Sequence, residues 1–276
     1  MEKSNPIGIF DSGIGGLTVV KQIANFLPNE NLIYFGDTAR VPYGTKSNST
    51  VIEYAIQDTK FLLEKNVKMI IVACNTVSSV AIEHLRKEFK IPIIGMIDPG
   101  SEAALRATKN KRIGVIGTNA TINNRAYSSR LKDLDENLLI FEKACPLFVP
   151  LAEEGWLDHN ATRLVAEEYL RELTESKIDT LILGCTHYPI LSETIRNVAG
   201  KVKLIDSGIA AAKLVEQYLE GRGLKNTSHQ LGYHEYYVSD IPQKFKDIAE
   251  RFLGNKIDNV HKVDLEKLMN YSVKSE

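Results

Sequence analysis

Short runs of apolar, often β-branched residues recur along the chain and are separated by longer, more polar stretches. Within each run the apolar residues are continuous and do not alternate with polar ones, which is typical of parallel strands buried on both faces of a sheet. The pattern therefore predicts strands at PIGIF (6–10), NLIYFGD (31–37), KMIIVAC (68–74), IPIIGMID (91–98), RIGVIGT (112–118), ENLLIFEKAC (136–145), DTLILGC (179–185) and VKLIDSG (202–208).

The stretches between these runs have the spacing of amphipathic helices. Over residues 51–65, for example, apolar side chains fall on one stripe at three- and four-residue intervals. Strands that alternate with helices of this length form βαβ units around a parallel sheet. The chain is therefore predicted to have an α/β fold.

An internal repeat divides the predicted elements into two similar sets. Three pairs of matching positions, 106 to 111 residues apart, follow one order along the chain: Pro6 with Arg112, Cys74 with Cys185, and Asp98 with Asp206. The repeat predicts two pseudo-symmetric α/β domains with mostly parallel sheets and an active site in the cleft between them.

The first predicted domain comprises residues 1–97 and 207–276, and the second comprises residues 98–206. The segment after residue 233 has no counterpart in the repeat. It is expected to rejoin the first domain.

Composition and charge exclude several classes of protein. The 276 residues carry a formal net charge of −1, which gives no long-range attraction for nucleic acid or an anionic membrane. No secretory signal and no apolar stretch long enough for a membrane helix is evident. Three cysteines are an odd and sparse set, which argues against a disulfide framework. We expect a cytoplasmic protein that acts on a small molecule.

Two of the cysteines are candidates for chemistry. Cys74 and Cys185 each end a predicted strand, where ligands bind in parallel α/β sheets and where the next helix start is expected to lower the pKa of a thiol. Cys145 lies among apolar residues and fits a buried structural role. The Cys185-x-His187 spacing is too tight for a typical zinc site, so no metal is expected.

The glycine-rich loop DSGIGG (11–16) resembles a phosphate cradle but matches neither nucleotide motif, since Thr18 replaces the third glycine of G-x-G-x-x-G and the P-loop Lys is absent. Its glycines are expected to let the backbone approach a small anionic substrate. Asp11 is expected to hold an ammonium group or to assist a thiol. The hydroxyls of Ser12, Thr76 and Thr186 are candidates to bind a carboxylate.

Five motifs in order resemble the aspartate/glutamate racemase family: DSGIGGLTV, GDTARVPYG, ACNT, CPLFVPLAEEGW and GCTHYP. The resemblance extends from about residue 7 to 265. It implies cofactor-independent interconversion of L- and D-glutamate, in which two thiols act as acid and base on opposite faces of the α-carbon. The product would supply peptidoglycan synthesis in a bacterial cytoplasm.

The resemblance also implies residue roles. Cys74 would take the proton from D-glutamate with help from Asp11, and Cys185 would take it from L-glutamate with help from His187 and Glu153. The residues expected to line the substrate are Asp11, Ser12, Tyr43, Gly44, Asn75, Thr76, Thr186 and His187.

Alternatives stay open at this point. His187 could cap a helix, Glu154 could replace Glu153, and Tyr43 with Gly44 could simply form a turn. Asp37 could cap a turn or assist a thiol, and Arg40 could steer an acidic substrate. Rival functions are an aspartate racemase, a Cys–His hydrolase and a protein that binds an amino acid without chemistry. The oligomeric state is open, with a homodimer as one option.

Overall fold

The computed structural model describes residues 2–241 and 245–270. Residues 1, 242–244 and 271–276 of the first predicted domain lie outside this range. The strands are β1 (Ile7–Asp11), β2 (Leu32–Gly36), β3 (Met69–Val72), β4 (Ile93–Ile94), β5 (Arg112–Gly117), β6 (Leu139–Ala144), β7 (Thr180–Gly184), β8 (Lys203–Asp206), β9 (His234–Val238) and β10 (Val260–Lys262).

The helices lie between these strands, as the spacing of apolar residues predicts. They are α1 (Leu17–Phe26), α2 (Asn48–Leu63), α3 (Asn75–Val80), α4 (Ile82–Glu88), α5 (Ile97–Ala107), α6 (Asn119–Asn123), α7 (Ala126–Leu134), α8 (Phe148–Glu153), α9 (Asn160–Glu175), α10 (Ser192–Ala199), α11 (Ser207–Gly221), α12 (Phe245–Leu253) and α13 (Leu265–Met269), with short 3₁₀ turns at Tyr43–Thr45 and Tyr188–Leu191. Within the described ranges no helix is long and apolar enough to cross a membrane.

The strands form two sheets. In the described part of the chain one sheet has the order β10-β9-β2-β1-β3-β4, the other has the order β6-β5-β7-β8, and each described strand pair is parallel. In the first sheet Ile7 lies opposite both Leu32 and Met69, and in the second Ile113 lies opposite both Ile140 and Thr180. The predicted α/β class with mostly parallel sheets is confirmed.

The internal repeat has a structural counterpart. The order β2-β1-β3-β4 in one sheet is the order β6-β5-β7-β8 in the other, so β3 and β7, which precede the two candidate cysteines, hold equivalent places. The segment after residue 233 adds β9 next to β2 and β10 at the edge of the first sheet. The domain boundaries at 97/98 and 206/207 stay predictions.

Two details differ from the sequence pattern. The run at 91–98 forms only the two-residue strand β4, because α5 already begins at Ile97. The repeated aspartates also differ in role. Asp206 caps α11 by accepting hydrogen bonds from the backbone N–H groups of Gly208 and Ile209, whereas Asp98 lies in the first turn of α5 and pairs with arginines at the surface.

One apolar core joins the two sheets. It contains Ile9 and Tyr34 from the first sheet, and Leu181 and Leu183 from the second. Helix α11 packs against both α1 and α5. The two halves are therefore held together by continuous packing, with the carboxyl ends of β1, β3, β5 and β7 directed towards one cavity.

Candidate active site

A cavity of about 370 Å³ lies at the carboxyl ends of the central strands of both sheets. Cys74 and Cys185 both line it, one from each half of the repeat. Its volume falls within the range of small-molecule sites. The other predicted site residues that line it are Ser12, Tyr43, Gly44, Asn75, Thr76, Glu153, Thr186 and His187.

Cys74 follows β3 and immediately precedes α3. The residue is 6% exposed, and its thiol donates to the Ser12 hydroxyl over 3.4 Å. Burial raises the pKa of the Cys74 thiol to about 12, and the negative charge of Asp11 adds to this rise. The expectation that the helix start lowers the pKa of this thiol is wrong, because desolvation outweighs the hydrogen bonds that the thiol makes with Ser12 and with the α3 backbone. Cys74 is a neutral thiol at neutral pH.

Cys185 has a different neighbourhood. Its sulfur lies 3.8 Å from Nδ1 of His187, whose Nε2 lies 2.9 Å from a carboxylate oxygen of Glu153. Burial by itself lowers the pKa of His187, but the Cys185 sulfur and the Glu153 carboxylate outweigh burial and raise the pKa to about 10. The three side chains therefore favour an imidazolium that faces the Cys185 sulfur.

This contact distinguishes two alternatives left open by the sequence. Glu153, the last residue of α8, is the carboxylate that pairs with His187. The His187 side chain does not cap the following 3₁₀ turn, since both of its ring nitrogens face Glu153 and Cys185.

Asp11 ends β1 and is completely buried. Its carboxylate accepts hydrogen bonds from the Gly13 backbone N–H at 3.0 Å and from the Thr186 hydroxyl at 3.4 Å. Burial raises the pKa of Asp11, although the charge of His187 opposes this. Asp11 is not among the residues that line the cavity, and its predicted contact with a substrate ammonium stays a prediction. Its influence on Cys74 is electrostatic.

The glycines of the 11–16 loop allow contacts within the protein. A Cβ at Gly15 would lie 2.4 Å from the Thr186 hydroxyl oxygen and 2.5 Å from the His187 ring, and one at Gly16 would lie 2.4 Å from Cβ of Asp11. The Thr18 hydroxyl also donates to the Thr186 carbonyl over 2.9 Å. The expected reason was close approach to an anionic substrate. The structure shows a tight contact between the two halves at Gly15, while Gly13 lines the cavity, so the expected approach to a substrate stays a prediction.

Tyr43 and Gly44 line the cavity, but the Tyr43 hydroxyl is directed away from it. This hydroxyl donates to Asp37 and, over 3.3 Å, to Asp58. Arg40 also binds both carboxylates, with Nε 2.5 Å from Asp37 and Nη2 3.1 Å from Asp58. Asp37 and Arg40 therefore belong to a buried network that supports the loop, and Arg40 is not a free cation that could steer a substrate.

Asn75 and Thr76 begin α3 beside Cys74. The Tyr127 hydroxyl donates to Oδ1 of Asn75 over 2.7 Å, while Nδ2 of Asn75 has no hydrogen-bond partner among the described residues. The hydroxyl of Thr76 lies 2.9 Å from that of Thr118. Asn75 is thus a buried amide with an available donor at the cavity wall.

Several lining residues were missed from the sequence. Thr118 could have been found, because it follows β5 as Ser12 follows β1 at the equivalent place in the repeat. The apolar wall had no comparable signal, since it depends on how α8 lies over the cavity: Pro146, Val149 and Pro150. In the part of the chain that the structure describes, no group of three or more His, Cys, Asp or Glu side chains could hold a metal ion.

Comparison with known proteins identifies this arrangement. The profile of a family described as Asp/Glu/Hydantoin racemase matches residues 9–215. The chain belongs to the Asp/Glu/Hydantoin racemase family. It is an amino-acid racemase, and therefore an isomerase, as the five motifs indicated.

Relatives of this racemase match over nearly the whole chain. A glutamate racemase of Chlorobaculum tepidum is 51% identical over 96% of this chain and 98% of its own. A glutamate racemase of Francisella tularensis, solved in complex with D-glutamate, superposes with a TM-score of 0.90 at 43% identity, covering 96% of this chain and 99% of its own. That of Escherichia coli, solved with L-glutamate and an activator, has a TM-score of 0.76 at 26% identity, covering 94% and 98%.

The loop contact predicts the effect of one methyl group. In Gly15→Ala the new Cβ would displace Thr186 and His187, so we expect racemase kcat/KM to fall by about a hundredfold, since a shift of about 1 Å can cost that much. Gly221→Ala is the control, because a Cβ there meets nothing within 4 Å. Steady-state kinetics and thermal unfolding of both variants test this. Equal activity in the two variants would contradict it.

The charge on His187 predicts an NMR titration. In protein labelled with ¹⁵N-histidine, the signals absent from a His187→Asn variant should titrate near pH 10, the raised pKa of His187. Because that pKa exceeds its ordinary value of about 6.5, the contact stabilises the fold fully below pH 6.5, and this stabilisation is lost as the pH rises through about 10.

Glu153→Gln should lower the His187 midpoint, and Glu154→Gln should have a smaller effect. A neutral imidazole at pH 7 in the wild-type protein would show that His187 does not carry the proton that this geometry favours.

Proposed function

We propose that this racemase interconverts L- and D-glutamate without a cofactor, with Cys185 removing the α-proton of L-glutamate and Cys74 that of D-glutamate. The observation that carries the proposal is that both thiols line one cavity from equivalent strand ends of the two sheets. Inversion of a stereocentre by two bases places one group on each face of the α-carbon, one to remove a proton and the other to deliver one. The solved relatives hold D-glutamate in one case and L-glutamate in another.

The proposed reaction cycle begins with the free enzyme in the state that reacts with L-glutamate. In the proposed starting state Cys185 is the base, with the imidazolium of His187 3.8 Å from its sulfur, while Cys74 keeps its proton because burial raises its pKa to about 12. The thiolate of Cys185 takes the α-proton and becomes a thiol. Cys74 then gives its proton to the opposite face of the carbanion and becomes a thiolate, and D-glutamate leaves. Proton exchange with water restores the starting state.

The free-energy cost of removing the α-proton shows that the site must also stabilise the carbanion. With an α-proton pKa of roughly 20 and an ordinary thiol pKa of about 8.5, the transfer is unfavourable by about 16 kcal/mol. Fixed hydrogen-bond donors in a cavity that excludes water can offset much of this by stabilising the carbanion, whose charge spreads onto the α-carboxylate.

Asn75 is the strongest candidate for such a donor. Its Nδ2 is buried without a partner, and the hydrogen bond from Tyr127 to its Oδ1 fixes the orientation of the amide. A substrate carboxylate would supply the missing acceptor. Ser12, Thr76 and Thr186 also line the cavity, and their hydroxyls are further candidate donors to a substrate carboxylate.

D-Glutamate made in this way would serve as a building block for bacterial peptidoglycan, in the cytoplasm. This part of the proposal rests on the resemblance of the five motifs and on the relatives.

Serine variants of the three cysteines test the assignment of the bases. A serine hydroxyl is a far weaker acid than a thiol, so Cys74→Ser and Cys185→Ser should each lower kcat/KM for L-glutamate by at least about a hundredfold. Cys145→Ser is the matched control, since Cys145 is fully buried outside the cavity and its sulfur already contacts the Lys143 carbonyl. Circular dichroism of L-glutamate, with L-aspartate in parallel, follows the reaction.

Each outcome of this experiment separates the rival functions. A harmless Cys74→Ser would overturn the two-thiol mechanism and favour chemistry at Cys185 and His187 alone. Inversion of aspartate but not glutamate would support the two-thiol mechanism but show that the proposed substrate is wrong. Retained rotation of both amino acids with the wild-type protein would contradict the proposed function.

A further inference from the structure

Helix α12 (Phe245–Leu253) reaches the Cys185 side of the cavity without lining it. The helix packs against α1, which follows the glycine-rich loop of the first half. Its last turn carries Arg251 and Phe252, which contact Glu153 and His187 of the second half. No part of the mechanism above uses these two residues.

Arg251 holds the backbone that carries Glu153. Its Nη1 donates to the Glu153 carbonyl over 2.8 Å and to the Ala152 carbonyl over 3.4 Å. These carbonyls belong to the last turn of α8, where backbone acceptors lack partners within the helix and a cation is favourable. The guanidinium also covers Gly155, where φ is +75° and a Cβ would lie 2.6 Å from Cζ of Arg251.

Phe252 holds the imidazole. Its fully buried ring meets the His187 ring edge-on, with centroids 5.3 Å apart and planes at 85°. This packing opposes rotation of the imidazole, so Nε2 stays at Glu153 while Nδ1 stays at Cys185.

We propose that Arg251 and Phe252 are positioning residues for proton transfer at Cys185, acting through Glu153 and His187. The inference rests on the proposed two-thiol mechanism. Neither residue lines the cavity, so neither touches a substrate bound there. Cys74 has different neighbours: its sulfur contacts the Ser12 hydroxyl, and the neighbouring charge is that of Asp11. Loss of either positioning residue should therefore impair one of the two proton transfers.

Isotope effects can detect such an imbalance where rates alone cannot. The two enantiomers are equally stable, so the equilibrium constant is 1 and kcat/KM must fall by the same factor in both directions. If the transfer at Cys185 becomes slower, breaking of the α-carbon–hydrogen bond limits the rate more for L-glutamate and less for D-glutamate.

For Arg251→Gln we expect kcat/KM to fall by about tenfold through misplacement of Glu153. The primary isotope effect should rise with 2-deuterated L-glutamate and fall with 2-deuterated D-glutamate. Phe252→Leu, which keeps the apolar contact but loses the ring, should shift the isotope effects in the same sense. Arg251→Lys keeps a cation near the carbonyls and should recover part of the loss.

Two further variants make the test specific. If Arg251 acts through Glu153, Arg251→Gln should lower kcat/KM little further in a protein that already carries Glu153→Gln. If the losses of the two single variants multiply in the double variant, Arg251 does not act through Glu153. Lys246→Ala, at an exposed position of the same helix, should leave both isotope effects unchanged.

Loss of activity in Arg251→Gln with unchanged isotope effects would mean a purely structural role and would overturn the inference. The proposed function fails separately, through a wild-type protein that does not invert glutamate.

Discussion

The contact between Gly15 and residues 186 and 187 is the constraint on which the active site depends. At this point the backbone of the first half lies so close to the second that a single Cβ would overlap the Thr186 hydroxyl and the His187 ring. Hydrogen bonds from Thr18 to the Thr186 carbonyl and from Thr186 to Asp11 tie the same segments together. Because these segments adjoin both cysteines, separation of the halves here would move one thiol away from the other.

The repeated scaffold gives the two thiols equivalent places but unequal surroundings. Cys185 faces an imidazole that Glu153 keeps charged, whereas Cys74 faces a hydroxyl and the negative charge of a buried Asp11. In the proposed mechanism, Cys185 accepts a proton from L-glutamate and Cys74 gives one to the opposite face. Inversion by two bases needs one thiol and one thiolate at a time, since two thiols lack a base and two thiolates lack an acid.

Much of the fold follows from local pattern. The continuous apolar runs fix the parallel strands, and the repeat offset matches β3 with β7 and so places both cysteines at one cavity. The predictions that fail do so for physical reasons. The pKa of Cys74 depends on complete burial, which the adjacent helix start does not reveal. The run at 91–98 gives only a short strand because α5 begins within it.

Contacts between residues that are far apart along the chain could not be predicted from the sequence. The pairing of His187 with Glu153 came only from resemblance, because the two residues are 34 positions apart. Arg251 and Phe252 lie farther along the chain still, and Tyr43 turns its hydroxyl towards Asp58, which carried no local signal. Such contacts depend on how helices α2, α8 and α12 pack. The periodicity of apolar residues and the spacing of motifs do not predict this packing.

The central claim is that one thiol acts on each face of the α-carbon, and early isotope distribution tests it most directly. L-Glutamate is converted in D₂O by the wild-type protein, the reaction is stopped after a few per cent conversion, and the enantiomers are separated for mass spectrometry. Two bases predict an α-deuteron in nearly all of the D-glutamate and almost none in the remaining L-glutamate. A D-glutamate product that largely retains the original hydrogen would show that a single base carries the proton across, which would contradict this account.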